Sequence, residues 1–196
     1  MMTINHVSLP RFCEASSGGI RKIAAIETKD ILVFREPHYY PPSLPMVPYS
    51  MAIGDITLKG GANVYEWLQG PNQSAQHFEV QETGPHGPSF GQSINFNYTR
   101  IADTYVYWIS QLRDKDFILI YQTLNKTVRV VGTPEQPMKF LTQRASGSRP
   151  IEKQQMVFSW LGTTLKPAPF LPSYDLAVLF PGQAALITNT IDFTFV

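Results

Sequence analysis

The chain has 196 residues, a formal net charge of +1 and 16% charged residues against 43% hydrophobic ones. That supplies enough apolar material for one packed domain, while a charge so close to balance gathers neither nucleic acid nor cationic partners at long range. The single cysteine, Cys13, can close no intrachain disulfide and is expected to be a small buried hydrophobe.

The first stretch, MMTINHVSLPRFCEASSGG, lacks the basic head and apolar run of a signal peptide. No apolar stretch in the chain reaches the roughly 18 to 20 residues that cross a bilayer. The expectation is a protein made and used in a cytoplasm, or exported as part of something larger, with no membrane partner. GGIRKIAAIETKDILVF then predicts two short strands, 21–26 and 31–35, joined by the turn-prone ETKD.

Five of the sixteen prolines fall in EPHYYPPSLPMVPYS, residues 36–50. They exclude helix and central strand, and predict a long extended excursion. Long loops of this kind are usually functional or disordered, and a disordered one is normally poor in aromatics. Tyr39, Tyr40, Leu44, Met46, Val47 and Tyr49 are therefore expected to pack against something, and they form the candidate assembly interface.

Beyond the loop, strands are predicted at 53–58 and 63–68 around the turn at Gly60 and Gly61. AQHFEVQET and SINFNYTR, on either side of GPHGPSFG, read as an antiparallel pair. The alternation in SINFNY turns Ile94, Phe96 and Tyr98 toward the core and sets Ser93, Asn95 and Asn97 on the other face. A helix should start near Thr99 with Asp103 in its first turns, placing Ile101, Tyr105, Trp108, Ile109 and Leu112 on one face. FILIYQT is a continuous apolar run suited to a strand buried on both sides, and LNK turns it into TVRVVG as a hairpin. MKFLTQRASG and KQQMVFSWLGTT add two strands, and LAVLF and AALITNTIDFTFV close the chain. About a dozen strands against one helix predict a single, all-β dominated domain over 1–196, an antiparallel β-sandwich or small barrel with one flanking α-helix.

Catalytic and metal-binding patterns are not apparent. His6, His38, His77 and His86 lie far apart, without ligand spacing. GPHGPSFG does not open a helix after a parallel strand, as a phosphate-binding loop must, and ASGSRP lacks the nucleophile elbow. Asp103, Asp114 and Asp116 are accounted for by capping and turn roles. The expectation is a protein that is not an enzyme and requires no cofactor and no metal.

The opening GGIRKIAAIETKDI, the strand, helix, strand and hairpin unit, and VRVVGTPEQPMKFLTQRASGSRPIEKQQMVFSWLG together look like small virion structural proteins of phages and prophages of Bacteroidetes-type bacteria. The resemblance spans residues 18–171 and rests on the GGI start, the GTPE turn and the SGS loop. The layout is also similar to phage tail tube proteins and the related tube protein of type VI secretion. That likeness implies a virion component assembled in the host cytoplasm, in which the chain's main partner is itself. Subunits would form a stacked, homo-oligomeric ring, a hexamer in that family, around a channel that DNA passes through transiently, beside other virion proteins. Residues 36–50 would reach the next ring, and Ser93, Asn95 and Asn97 would be lumen-facing. The proline density of the loop and the apolar segment 176–196 depart from a tube subunit and leave room for a terminator, connector or capsid-associated protein. The competing expectation is a monomeric β-sandwich binding module for carbohydrate or a protein ligand, with Tyr39, Tyr40 and Trp67 as stacking platforms.

Overall fold

The computed structural model describes residues 19–37, 49–68, 74–85, 87–98, 109–110, 112–145, 155–181 and 189–191. The strands are β1 (Ile20–Glu27), β2 (Ile31–Phe34), β3 (Ile56–Leu58), β4 (Val64–Leu68), β5 (Ser74–Gly84), β6 (Gly87–Tyr98), β7 (Asp116–Thr123), β8 (Val128–Val131), β9 (Met138–Ala145), β10 (Gln155–Thr164), β11 (Phe170–Leu171) and β12 (Asn189–Ile191). Ten of them form one sheet in the order β12-β4-β1-β7-β9-β10-β6-β5, with β8 on β7 and β11 on β8, and β2 pairs β3 separately. The domain is β-dominated and largely antiparallel; the β4–β12 pairing is parallel.

The large sheet turns a corner where β7 meets β9, since that ladder is only two residue pairs long, Asp116 with Lys139 and Phe117 with Met138. Two packed layers result, β12-β4-β1-β7-β8 and β9-β10-β6-β5, with a common apolar interior. Ile23, Ala25, Trp67, Ile94, Phe96, Phe117, Leu119, Phe140, Phe158 and Trp160 fill it. Trp160 is at its centre, edge-on to Trp67 at 5.1 Å and to Phe96 at 5.5 Å between ring centroids, the geometry that the ring quadrupole favours. Close approach at the corner depends on Gly162, where an added Cβ would lie 2.6 Å from Met138 Sδ and 3.1 Å from the Pro137 carbonyl oxygen.

A second core lies on the other face of the first layer. Ala24, Ile26, Ile118, Ile120, Val128 and Val130 meet Ile31, Ile56 and Leu58 of the small sheet, and Leu171, Tyr174, Leu179 and Phe180 of the C-terminal segment. β7 is consequently apolar on both faces, with residues 117–121 buried, as its continuous run requires. The hairpin from β7 to β8 closes through Lys126 at φ 63°, and the Thr123 side chain accepts the Thr127 amide.

Several expectations are revised. The strand expected at 53–58 begins at Ile56, with a turn before it, and LAVL of the apolar tail is a one-turn helix, Leu176–Leu179. Of the flanking helix, residues 109, 110 and 112 are helical, and Arg113 donates its amide to the Ile109 carbonyl; Thr99, Asp103 and Trp108 lie outside the described residues. Trp67 is 4% exposed and packs against Trp160, so it is a core residue and not a stacking platform.

Candidate functional site

The outward face of β9-β10-β6-β5 is the most distinctive surface. Cross-strand pairing sets Phe78, Ser93, Leu161 and Lys139 in one row and Gln76, Asn95, Ser159 and Leu141 in the next. In these rows Phe78 is 51% exposed, Leu161 42% and Leu141 49%, and Val80 further along β5 is 58% exposed. Large side chains left this open on regular strands form a patch where a monomer would normally be polar.

Ser93 and Asn95 point away from the interior, as the alternation in SINFNY predicts, and both are half-buried. The face around them is not uniformly polar, because Ser93 is flanked by Phe78 and Leu161. Asn97 pairs with Ser74 and Val157 in the same ladder. Of the loop residues, Tyr39, Tyr40, Leu44, Met46 and Val47 lie outside the described residues. Tyr49 is half-buried, and its carbonyl accepts the Phe170 amide at 2.9 Å, which ties this end of the loop to its own chain.

On β5 the usual pattern is inverted. Ala75, His77 and Glu79 face the interior while Phe78 and Val80 face out, because the register opposes His77 to Ile94 and Glu79 to Gln92. The His77 ring makes a 2.8 Å hydrogen bond through Nδ1 to the Tyr121 hydroxyl on the facing layer. Burial, with the Arg129 guanidinium nearby, brings the His77 imidazole down from 6.5 to about 4. Burial likewise pushes the Tyr121 hydroxyl up to about 12. Glu79 Oε2 accepts the Ala168 amide at 2.8 Å and the Gln92 side-chain amide at 3.2 Å.

A cleft of about 260 Å³ lies on the side of the molecule formed by β8 and the chain between β10 and β11, lined in part by Phe34, Tyr49, Val130, Thr133, Pro167 and Pro169. Its size suits a fragment-sized ligand. Among the described residues no three His, Cys, Asp or Glu side chains come together as metal ligands, and no helix is long and apolar enough to cross a membrane. Asp114 is exposed with φ 62° just past the helical residues, and Asp116 pairs with Lys139, which accords with turn and structural roles. No local pattern marks the outward apolar face, because strand facing is set by register with β6 and not by β5 alone.

Comparison of the chain with protein-family models, with curated proteins and with solved structures finds no match.

Proposed function

We propose that the chain is a non-enzymatic structural subunit that works by self-association, as a tail-tube-like ring or wall component of a virion. The observation supporting this reading is the apolar outward face of Phe78, Val80, Leu141 and Leu161. It includes two side chains of β5, a strand of 11 residues whose backbone, among the described residues, is laddered on one edge alone. An exposed edge strand with an apolar face is an association site unless it is blunted, and repetition of one such contact by rotation builds a ring. On this reading Ser93 and Asn95 sit within a subunit contact. Residues 36–50 remain a candidate for the stacking contact, and other virion proteins for its neighbours.

The second reading is a monomeric β-sandwich binding module, for which the 260 Å³ cleft beside Phe34 and Tyr49 speaks. Light scattering over a concentration series, with electron microscopy of the same sample, separates the two. Rings, tubes or a discrete oligomer support the structural subunit. A 22.1 kDa monomer throughout supports the binding module.

A further inference from the structure

The β5–β6 hairpin is held to the rest of the domain asymmetrically. β6 is laddered on both sides, to β5 and to β10, but β5 bonds backbone to backbone with β6 alone among the described residues. What ties β5 to the opposite layer is side-chain contact. Ala75 lies in the same apolar core as Ile20 of β1, His77 meets Tyr121, and Glu79 takes the Ala168 amide. Beyond Glu79 the hairpin is exposed from residue 80 through 85.

We propose that β5 is a pH-sensitive flap whose latch is the His77–Tyr121 contact, and that protonation of His77 releases the strand from the facing layer. The geometry makes the latch selective for the neutral ring. His77 Nε2 is shielded from solvent and has no hydrogen-bond partner among the described residues, so protonation either adds an unsatisfied N–H there or takes the Nδ1 lone pair from the Tyr121 hydroxyl, and in both tautomers it buries a charge. The groups around the ring do not offset this. Tyr121 on β7 is neutral, and Arg129, opposite Tyr121 on β8, adds a like charge. Ile94 on β6 and Ile23 on β1 are apolar. Glu79, the next inward-facing residue of β5, is already engaged by Ala168 and Gln92. With β5 lifted away, the imidazole would meet water and regain its ordinary basicity.

The size of the effect follows from linkage. A ring that titrates at about 4 when packed and at about 6.5 when open makes opening about twentyfold more favourable at pH 5 than at pH 7. The inference does not rest on self-association, although a lifted β5 would also present its apolar face and edge differently to another copy.

Native-state hydrogen exchange on the full chain tests it, with rates corrected for intrinsic pH dependence and repeated at low denaturant. The expected result is that β5 amides exchange through a local opening with little denaturant dependence, easier than the opening that exposes β1 and β7, and that this opening rises about twentyfold from pH 7 to pH 5. The double variant His77→Phe, Tyr121→Phe should abolish the rise while keeping the volume. β5 amides that exchange only with global unfolding would overturn the proposal, as would a local opening independent of pH. Should the double variant not fold, the His77 ring proton in the native chain gives the answer by NMR: titration near 6.5 with unchanged β5 exchange rejects the latch, and titration near 4 coupled to faster β5 exchange supports it.

Discussion

Glu27, at the end of β1 and 3% exposed, receives the Lys115 ammonium at 2.5 Å from the chain just before β7, while its other oxygen meets Lys29 at 2.5 Å. The Tyr65 hydroxyl adds a third contact at 3.2 Å. Burial by itself would raise the Glu27 carboxyl, but the hydrogen bonds and charges of Lys115 and Lys29 outweigh it and hold the group below the usual carboxylate range. A carboxyl with a lowered folded value contributes stability above its unfolded value of about 4.5 and loses it as pH falls through the lower folded value. Lys115→Met should strip the buried carboxylate of its best partner and cost about 2 to 4 kcal/mol at pH 7. In urea titrations between pH 3 and pH 7, Glu27→Gln should show a shallower acid loss than the native chain; equal slopes would mean that the pair carries no pH dependence.

Trp160 anchors the interior. It is fully buried against Trp67, Phe96 and Phe140, and Trp160→Ala should cost about 3 to 5 kcal/mol by transfer and cavity terms together. Leu32, 65% exposed on the small sheet, should tolerate alanine within about 0.5 kcal/mol. Chemical denaturation of both variants checks the contrast, and a small loss at Trp160 would show that the aromatic cluster is not the centre of the core.

The parts of this fold legible in the sequence are those fixed by local pattern. FILIYQT is apolar at every core position because β7 has a core on each face, and SINFNY alternates because β6 has only one. β5 was legible as a strand, but its facing was not. The sequence HFEV places apolar Phe78 and Val80 where an isolated reading would turn them inward, and only the long ladder to β6 forces His77 and Glu79 in. The His77–Tyr121 and Glu27–Lys115 contacts join residues 44 and 88 positions apart, a separation that no local periodicity encodes. Trp67 misled as a stacking platform because an aromatic in a short strand carries no mark of which layer will cover it.

The corner between the layers offers a test that does not depend on function. Gly162→Ala would place a methyl against Met138 Sδ and the Pro137 carbonyl, and should destabilise by about 1 to 3 kcal/mol through overpacking. Gly60, with open space around its position and no left-handed backbone, should accept alanine with little change. Shortening the obstructing side chain by Met138→Ala in the Gly162→Ala background should give a loss smaller than the sum of the two single changes. Strict additivity, read from denaturation midpoints, would place the strain elsewhere.

Ser93 provides the sharpest separation between the two uses proposed for the outward face. It lies in one row with Phe78 and Leu161, so a side chain added there projects from the middle of the apolar patch. If that patch is a subunit contact, Ser93→Lys and Phe78→Lys should each weaken association at least tenfold, since a charge would have to be desolvated and about 1.5 to 3 kcal/mol of apolar burial would be lost with the phenyl ring. If the face instead lines a channel, the patch is solvent-exposed in the assembly. Both variants should then assemble normally, and Ser93→Lys should give the inner wall a basic ring that retains DNA at low salt and releases it as salt rises. Sedimentation or light scattering of the native chain and the two variants, with circular dichroism to confirm that the strands persist, distinguishes the outcomes. Loss of assembly with an intact fold supports the contact surface. Full assembly with salt-sensitive DNA retention assigns the face to the lumen.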